Sequence, residues 1–173
     1  MATLDILIAP QPVLKTPTEP VAAIDDAIRH LLDDMLATMY AAPGIGLAAP
    51  QVGVGKRLCV VDVAGKDEPP RPLFLVNPTV LEASAERDVA EEGCLSLPEL
   101  YADVERPAAV RVGYLDRDGE PRELDAEGLL ARCLQHEIDH LDGVLFVDHL
   151  SMLKRRMLLR KLAKLQRNKQ RDG

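Results

Sequence analysis

Apolar residues recur at helical spacing in three stretches of the chain and in short, strand-like runs elsewhere. Ile28, Leu31, Leu32, Met35 and Met39 return every three or four residues across positions 25–41, and Pro43-Gly44 follow, so the pattern predicts a helix with a C-terminal cap. Leu129, Leu130, Cys133, Leu134, Ile138 and Leu141 repeat that spacing, with Asp125 as the expected N-cap and Gly143 as the stop. Leu150, Leu153, Met157, Leu158, Leu162 and Leu165 make a third stripe, which predicts a terminal helix docked on the body.

The runs Leu58–Val63, Leu73–Val76, Val80–Ala83 and Val110–Leu115 read as strands, and Asp118-Gly119 as a hairpin turn between Val110–Asp116 and Glu120–Leu124. Lys66–Pro72, with three prolines, reads as a surface loop, and the segment up to about Pro20 as extended chain. Strands and helices do not alternate strictly. An α+β fold is therefore expected, with antiparallel β-sheets packed around a central helix and with an N-terminal and a C-terminal helix, in place of a doubly wound sheet.

A chain of 173 residues with 47% hydrophobic content can bury a sizeable core as one domain, residues 1–173. Its aromatics are only Tyr40, Phe74, Tyr101, Tyr114 and Phe146, which leaves packing to aliphatic side chains. No run of 18 apolar residues and no secretory leader is present, so a cytoplasmic protein without a membrane or DNA partner is expected. Three cysteines, an odd number without scaffold spacing, fit a reducing compartment.

Charge is divided unevenly. The formal net charge is −7, yet residues 151–173 hold nine Lys or Arg against Asp172, a local +8 that leaves −15 on the remainder. The terminal helix is thus basic wherever it is not apolar, which suits either a solvated face or a polyanionic partner.

Gln135-His136-Glu137-Ile138-Asp139-His140 carries the chemistry. At about 100° per residue, positions i and i+4 share a helix face, so His136 and His140 can reach one cation, and Glu137 beside them is placed to take a proton from water. A catalytic site needs a third protein ligand. Phe146 occupies the place of the last histidine in the extended H-E-x-x-H-x-x-G-x-x-H pattern, and no Glu follows Glu137. His30, His149, an aspartate, Cys59, Cys94 and Cys133 remain. Cys133 lies about 10.5 Å along the helix axis from His140, too far to share an ion with it. Cys59 sits in an apolar strand run and reads as core. Cys94, between Gly93 and Pro98, occupies a bend or strand end from which a thiolate can meet the helix.

Three segments, Gly44-Ile45-Gly46-Leu47-Ala48-Ala49-Pro50-Gln51, Glu92-Gly93-Cys94-Leu95-Ser96 and Gln135-His136-Glu137-Ile138-Asp139-His140, together resemble the three signature motifs of bacterial peptide deformylase. The resemblance implies a metallohydrolase that removes the formyl group from the N-terminal formylmethionine of nascent polypeptides. It makes Cys94, His136 and His140 the ligands of one divalent metal, Fe(II) natively, with Zn(II), Ni(II) or Co(II) able to replace it. It makes Glu137 the general base and acid, with the Gln51 side-chain amide and the Leu95 backbone N–H on the developing oxyanion. A substrate methionine would lie among Ile45, Leu129, Cys133 and the stem of Arg132, with its backbone against Gly46 and Gly93 and its amino end near Glu92. Arg132 and Tyr101 depart from the family pattern, as an aliphatic residue and an arginine often stand at those positions. The basic last helix would contact ribosomal RNA near the peptide exit. A metallopeptidase cutting internal bonds shares the helix motif but does not need Cys94 or Gln51, and a closed metal site that only holds the fold together would not need Glu137.

Overall fold

A computed structural model describes residues 1–172. Helix α1 spans Asp26–Ala41, and the Asp25 side chain caps it by accepting from the Ile28 N–H. Strands β1 (Gly46–Ala48), β2 (Leu58–Val61), β3 (Leu73–Ala83), β6 (Ala109–Leu115) and β7 (Pro121–Glu127) build a five-stranded antiparallel sheet in the order β1-β2-β3-β6-β7. Strands β4 (Arg87–Cys94) and β5 (Leu97–Pro107) pair as a separate two-stranded sheet. Helices α2 (Gly128–Leu141) and α3 (Met152–Asp172) complete the expected α+β arrangement, which lacks any helix long and apolar enough to cross a membrane among the described residues.

The large sheet is covered on both faces. Leu58 and Val60 of β2 pack with Leu32, Met35 and Met39 of α1, while Cys59 and Val61 pack with Leu134, Ile138 and Leu141 of α2. Burial on both sides explains why β2 is an unbroken apolar run instead of an alternating one. A third cluster joins Leu97, Leu100 and Val104 of β5 to Phe146, Val147 and Leu162. It fixes the small sheet against the end of the chain.

Several boundaries differ from the sequence pattern for identifiable reasons. Leu73–Val76 and Val80–Ala83 are one strand: Asn77 takes a left-handed conformation (φ 52°) and exchanges side-chain hydrogen bonds with the Val21 backbone, which makes a bulge in a continuous β3. Asp125 does not cap α2. It lies in β7 opposite Arg111, because sheet pairing continues to Glu127, and the helix starts at Gly128 with no side-chain cap. Strand pairing also stops earlier than expected at Val61 and begins one residue sooner at Ala109. The chain before Pro20 is broken by a 3-10 turn at Pro12–Lys15, and the Gly44–Gly46 loop contributes β1.

β4 and β5 carry no apolar run, because much of β4 is exposed and β5 buries only one side. On α3 the apolar stripe is narrower than its pattern suggests. Leu162 is 2% exposed and Leu158 and Leu159 pack beside it, but Leu153 and Met157 are 70% and 60% exposed.

Gly143 ends α2 in the left-handed region (φ 77°), as a C-terminal stop should, and a β-carbon there would lie 2.8 Å from the Lys15 carbonyl oxygen. Gly143→Ala is expected to cost at least about 1 kcal/mol, which for a chain of this size lowers Tm by roughly 2–4 °C. Thermal unfolding followed by circular dichroism measures the shift, and an unchanged Tm would refute this account of the helix end.

Candidate metal centre

β4 ends on Cys94 through a register shift at Gly93–Cys94, so the thiol is turned out of the ladder toward α2. On α2, His136 and His140 stand one turn apart with ring centroids 5.0 Å apart, and His136 also stacks on Phe146. Cys94 Sγ lies 3.3 Å from His140 Nε2, and one ligand atom from each of Cys94, His136 and His140 falls within 4.8 Å of the others. Metal–sulfur and metal–nitrogen bonds of about 2.3 and 2.0 Å bring three such atoms to this spacing around a single ion. The other candidate ligands lie elsewhere. Cys59 is buried in the sheet core, and His149 bonds Asp139 Oδ2 at 2.8 Å.

Glu137 is buried beside the two histidines, and its Oε1 has no hydrogen-bond partner among the described residues. A buried carboxylate oxygen without a donor is costly unless a ligand or solvent meets it. Burial pushes its pKa up to about 7, with the Glu92 charge adding to the effect and His136 opposing it. Gly46 is required here: a β-carbon would come within 2.5 Å of Glu137 Oε2 and 3.0 Å of Cys133 Sγ. Burial also raises the Cys133 and Cys59 thiols, so both stay protonated, a state unsuited to metal ligation.

Glu92 organises the surroundings. Its Oε1 accepts from His136 Nδ1 (2.9 Å) and Arg106 Nη2 (2.9 Å), and its Oε2 from Arg106 Nε (2.6 Å) and Arg132 Nη1 (2.6 Å). Arg106 continues to Asp139 Oδ2 at 2.8 Å. Burial works against the Glu92 charge, but the His136 and Arg106 donors outweigh it and hold the carboxyl well below its usual range. A carboxylate has about four acceptor sites. All four are met by protein donors here. Glu92 touches the Cys94/His136/His140 group through His136 Nδ1.

Gln51 is buried in a 3-10 turn after β1; its Oε1 accepts from the Ala48 N–H (3.0 Å), and its Nε2 donates to Ser96 Oγ (3.1 Å) and lies 3.6 Å from Cys94 Sγ. A cleft of about 580 Å³ opens over these groups. Ile45, Gly46, Glu92, Gly93, Leu95, Leu129, Arg132 and Cys133 all border it, together with Tyr101 at the rim. Leu129 and Ile45 are partly solvent-exposed along it, whereas Cys133 is buried and belongs also to the core between α2 and the sheet. Arg106, Asp139 and Ser96 were not among the expected site residues. Asp139 and Ser96 stand inside two of the quoted motifs, but their partners come from distant parts of the chain, and only the alternation of β5 hinted that Arg106 faces inward.

Two buried histidines on a helix and a half-buried cysteine at a strand end, with a carboxylate one residue from the first histidine and a cleft above, define a metal-dependent hydrolase. Known proteins agree. The sequence model of the family described as polypeptide deformylase matches residues 3–156. Peptide deformylase of Mesorhizobium japonicum is 57% identical over 164 residues, 95% of this chain and 93% of that protein, and the one from Maricaulis maris is 52% identical over 173 residues, covering 100% and 99%. The crystal structure of peptide deformylase from Ehrlichia chaffeensis superposes with a TM-score of 0.93 at 40% identity, over 97% of this chain and 99% of that one. This chain belongs to the polypeptide deformylase family.

The donor set leads to a direct expectation. The purified chain should carry one divalent ion after dialysis, and Cys94→Ala, His136→Ala and His140→Ala should each lose it, whereas Cys59→Ala keeps it. Elemental analysis of the dialysed proteins decides. Retention of a full equivalent by Cys94→Ala would remove the thiolate from the centre.

Proposed function

We propose that this enzyme removes the N-formyl group from the terminal formylmethionine of nascent polypeptides and releases formate. The observation that carries the proposal is the convergence of Cys94, His136 and His140 on one point beside the partnerless Glu137, in a chain of the deformylase family. A divalent ion held by the thiolate and the two imidazoles supplies Lewis acidity and makes a water molecule nucleophilic near neutral pH. We take Fe(II) as the native ion and Zn(II), Ni(II) and Co(II) as substitutes, since a mixed sulfur and nitrogen set suits several divalent metals.

Glu137 is the proton carrier. A carboxyl poised near neutrality by burial both accepts and releases a proton at cellular pH, so it takes one from the attacking water and delivers it to the departing amine. As the formyl carbon becomes tetrahedral, charge gathers on its oxygen, and the Gln51 Nε2 and the Leu95 backbone N–H are its donors. The Gln51 amide is held between Ala48 and Ser96, and the Nε2 N–H that faces Cys94 Sγ is the one that turns to the oxyanion. Ile45, Leu129, Cys133 and the aliphatic stem of Arg132 provide an apolar slot for the methionine side chain, while Gly46 and Gly93 let a peptide backbone approach. Residues 1–173 work as one domain in the cytoplasm, where nascent chains emerge.

Glu137→Ala should keep its metal and its fold yet lose about 10²–10⁴-fold in kcat for formate release from a formylmethionyl peptide. Gln51→Leu should lose about 10²–10³-fold. The assay is run on protein purified without oxygen, with metal content measured alongside, because a ferrous ion and its thiolate ligand are both oxidisable. Formate release with no internal peptide cleavage supports deformylation; retained turnover by Glu137→Ala would overturn the assigned role.

α3 is proposed to meet ribosomal RNA. Lys154, Arg156, Arg160, Lys161, Lys164, Arg167, Lys169 and Arg171 are exposed on it, whereas Leu158, Leu159 and Leu162 anchor its other side. Replacing Lys161, Lys164, Arg167 and Lys169 by glutamine leaves the anchor intact and should weaken co-sedimentation with ribosomes and flatten its salt dependence. Unchanged co-sedimentation would exclude this contact.

A further inference from the structure

Arg132 projects from α2 into the wall of the cleft, and three of its five guanidinium N–H groups are given to protein acceptors. Nη1 donates to Glu92 Oε2 (2.6 Å) and to the Val104 carbonyl (2.9 Å), and Nη2 to the Asp88 carbonyl (3.0 Å). The side chain is nearly buried. One residue thus ties α2 to both strands of the small sheet, β4 through Asp88 and Glu92 and β5 through Val104, and the same sheet delivers Cys94.

Charge makes the second part of the case. Glu92 and Asp139 are two carboxylates, Arg106 and Arg132 two guanidiniums, and the four form one connected cluster around His136 Nδ1. Arg106 alone would answer both acids with a single positive charge. Arg132 brings the cluster to balance and fills the fourth acceptor site of Glu92. Without it, a buried lone pair on Oε2 is left unpaired, and the carboxylate that orients His136 loses its tie to the metal helix through Arg132.

We propose that Arg132 is a positioning residue for the metal centre: it sets the orientation and donor strength of His136 through Glu92 and clamps the Cys94 strand to the metal helix. Its stem at the same time forms part of the slot wall, so the residue that bounds the methionine side chain also tunes the ion. This rests on the deformylase reading for the identity of the slot, but not for the effect on the metal.

The test compares wild type, Arg132→Met and Arg132→Lys, all loaded with zinc and folded by circular dichroism, by the rate at which excess chromogenic chelator removes the ion. Met keeps an unbranched stem and drops the charge; Lys keeps the charge but cannot reach three acceptors from a fork. Arg132→Met should lose zinc about tenfold faster than wild type, with Arg132→Lys between them. In the cobalt-loaded proteins the visible spectrum should shift in the same order, and kcat for formate release should fall more than KM rises. Equal zinc-loss rates in all three proteins would overturn the proposal. If Arg132→Met does not fold, Arg132→Lys decides: faster loss than wild type supports the clamp, and equal loss overturns it. A wild-type protein that releases no formate would sink the deformylase reading while leaving the zinc-loss comparison intact.

Discussion

A single carboxylate, that of Glu92, holds the centre together. Two imidazoles on a helix need a third ligand from elsewhere, and here it comes from the end of a two-stranded sheet that has little core of its own. Glu92 sits on that sheet two residues before Cys94 and bonds to His136 on the helix, so the strand that brings the sulfur is registered against the helix that brings the nitrogens. The bulge at Gly93–Cys94 then turns the thiol inward over the short distance left.

Burying this many charges is expensive. A buried ion pair gains little net stability over an apolar replacement, yet removing one partner alone costs about 3–5 kcal/mol. The cluster of Glu92, Arg106, Arg132 and Asp139 is thus weak as a stabiliser and strong as a constraint: every member is committed, and none can move without stranding another. Such a frame suits ligands that must stay placed beside Glu137, whose buried Oε1 has no donor among the described residues.

The helix motif and its two histidines were legible in the chain because i, i+4 spacing is a local property, and so were α1, the β6–β7 hairpin and the apolar strand β2. Cys94 could be narrowed to a strand end by its flanking glycine and proline, but its meeting with the helix came from resemblance, since nothing local in the chain encodes a tertiary contact. Gln51 looks like a loop residue by composition, and only the fold shows it buried against Ser96. β4 and β5 were missed because exposed, charge-rich strands carry no apolar period. The N-cap of α2 was misplaced because sheet pairing outran the local capping signal at Asp125. The partners of Glu92 were out of reach for a further reason: arginines on exposed-looking segments give no sign that they turn inward to a shared acid.

X-ray absorption at the metal edge of the loaded, anaerobically purified enzyme probes the centre most directly. One sulfur at about 2.3 Å and two nitrogens at about 2.0–2.1 Å, with a further light-atom position for solvent, is the shell that this structure requires. A shell of nitrogen and oxygen alone, with no sulfur, would contradict it.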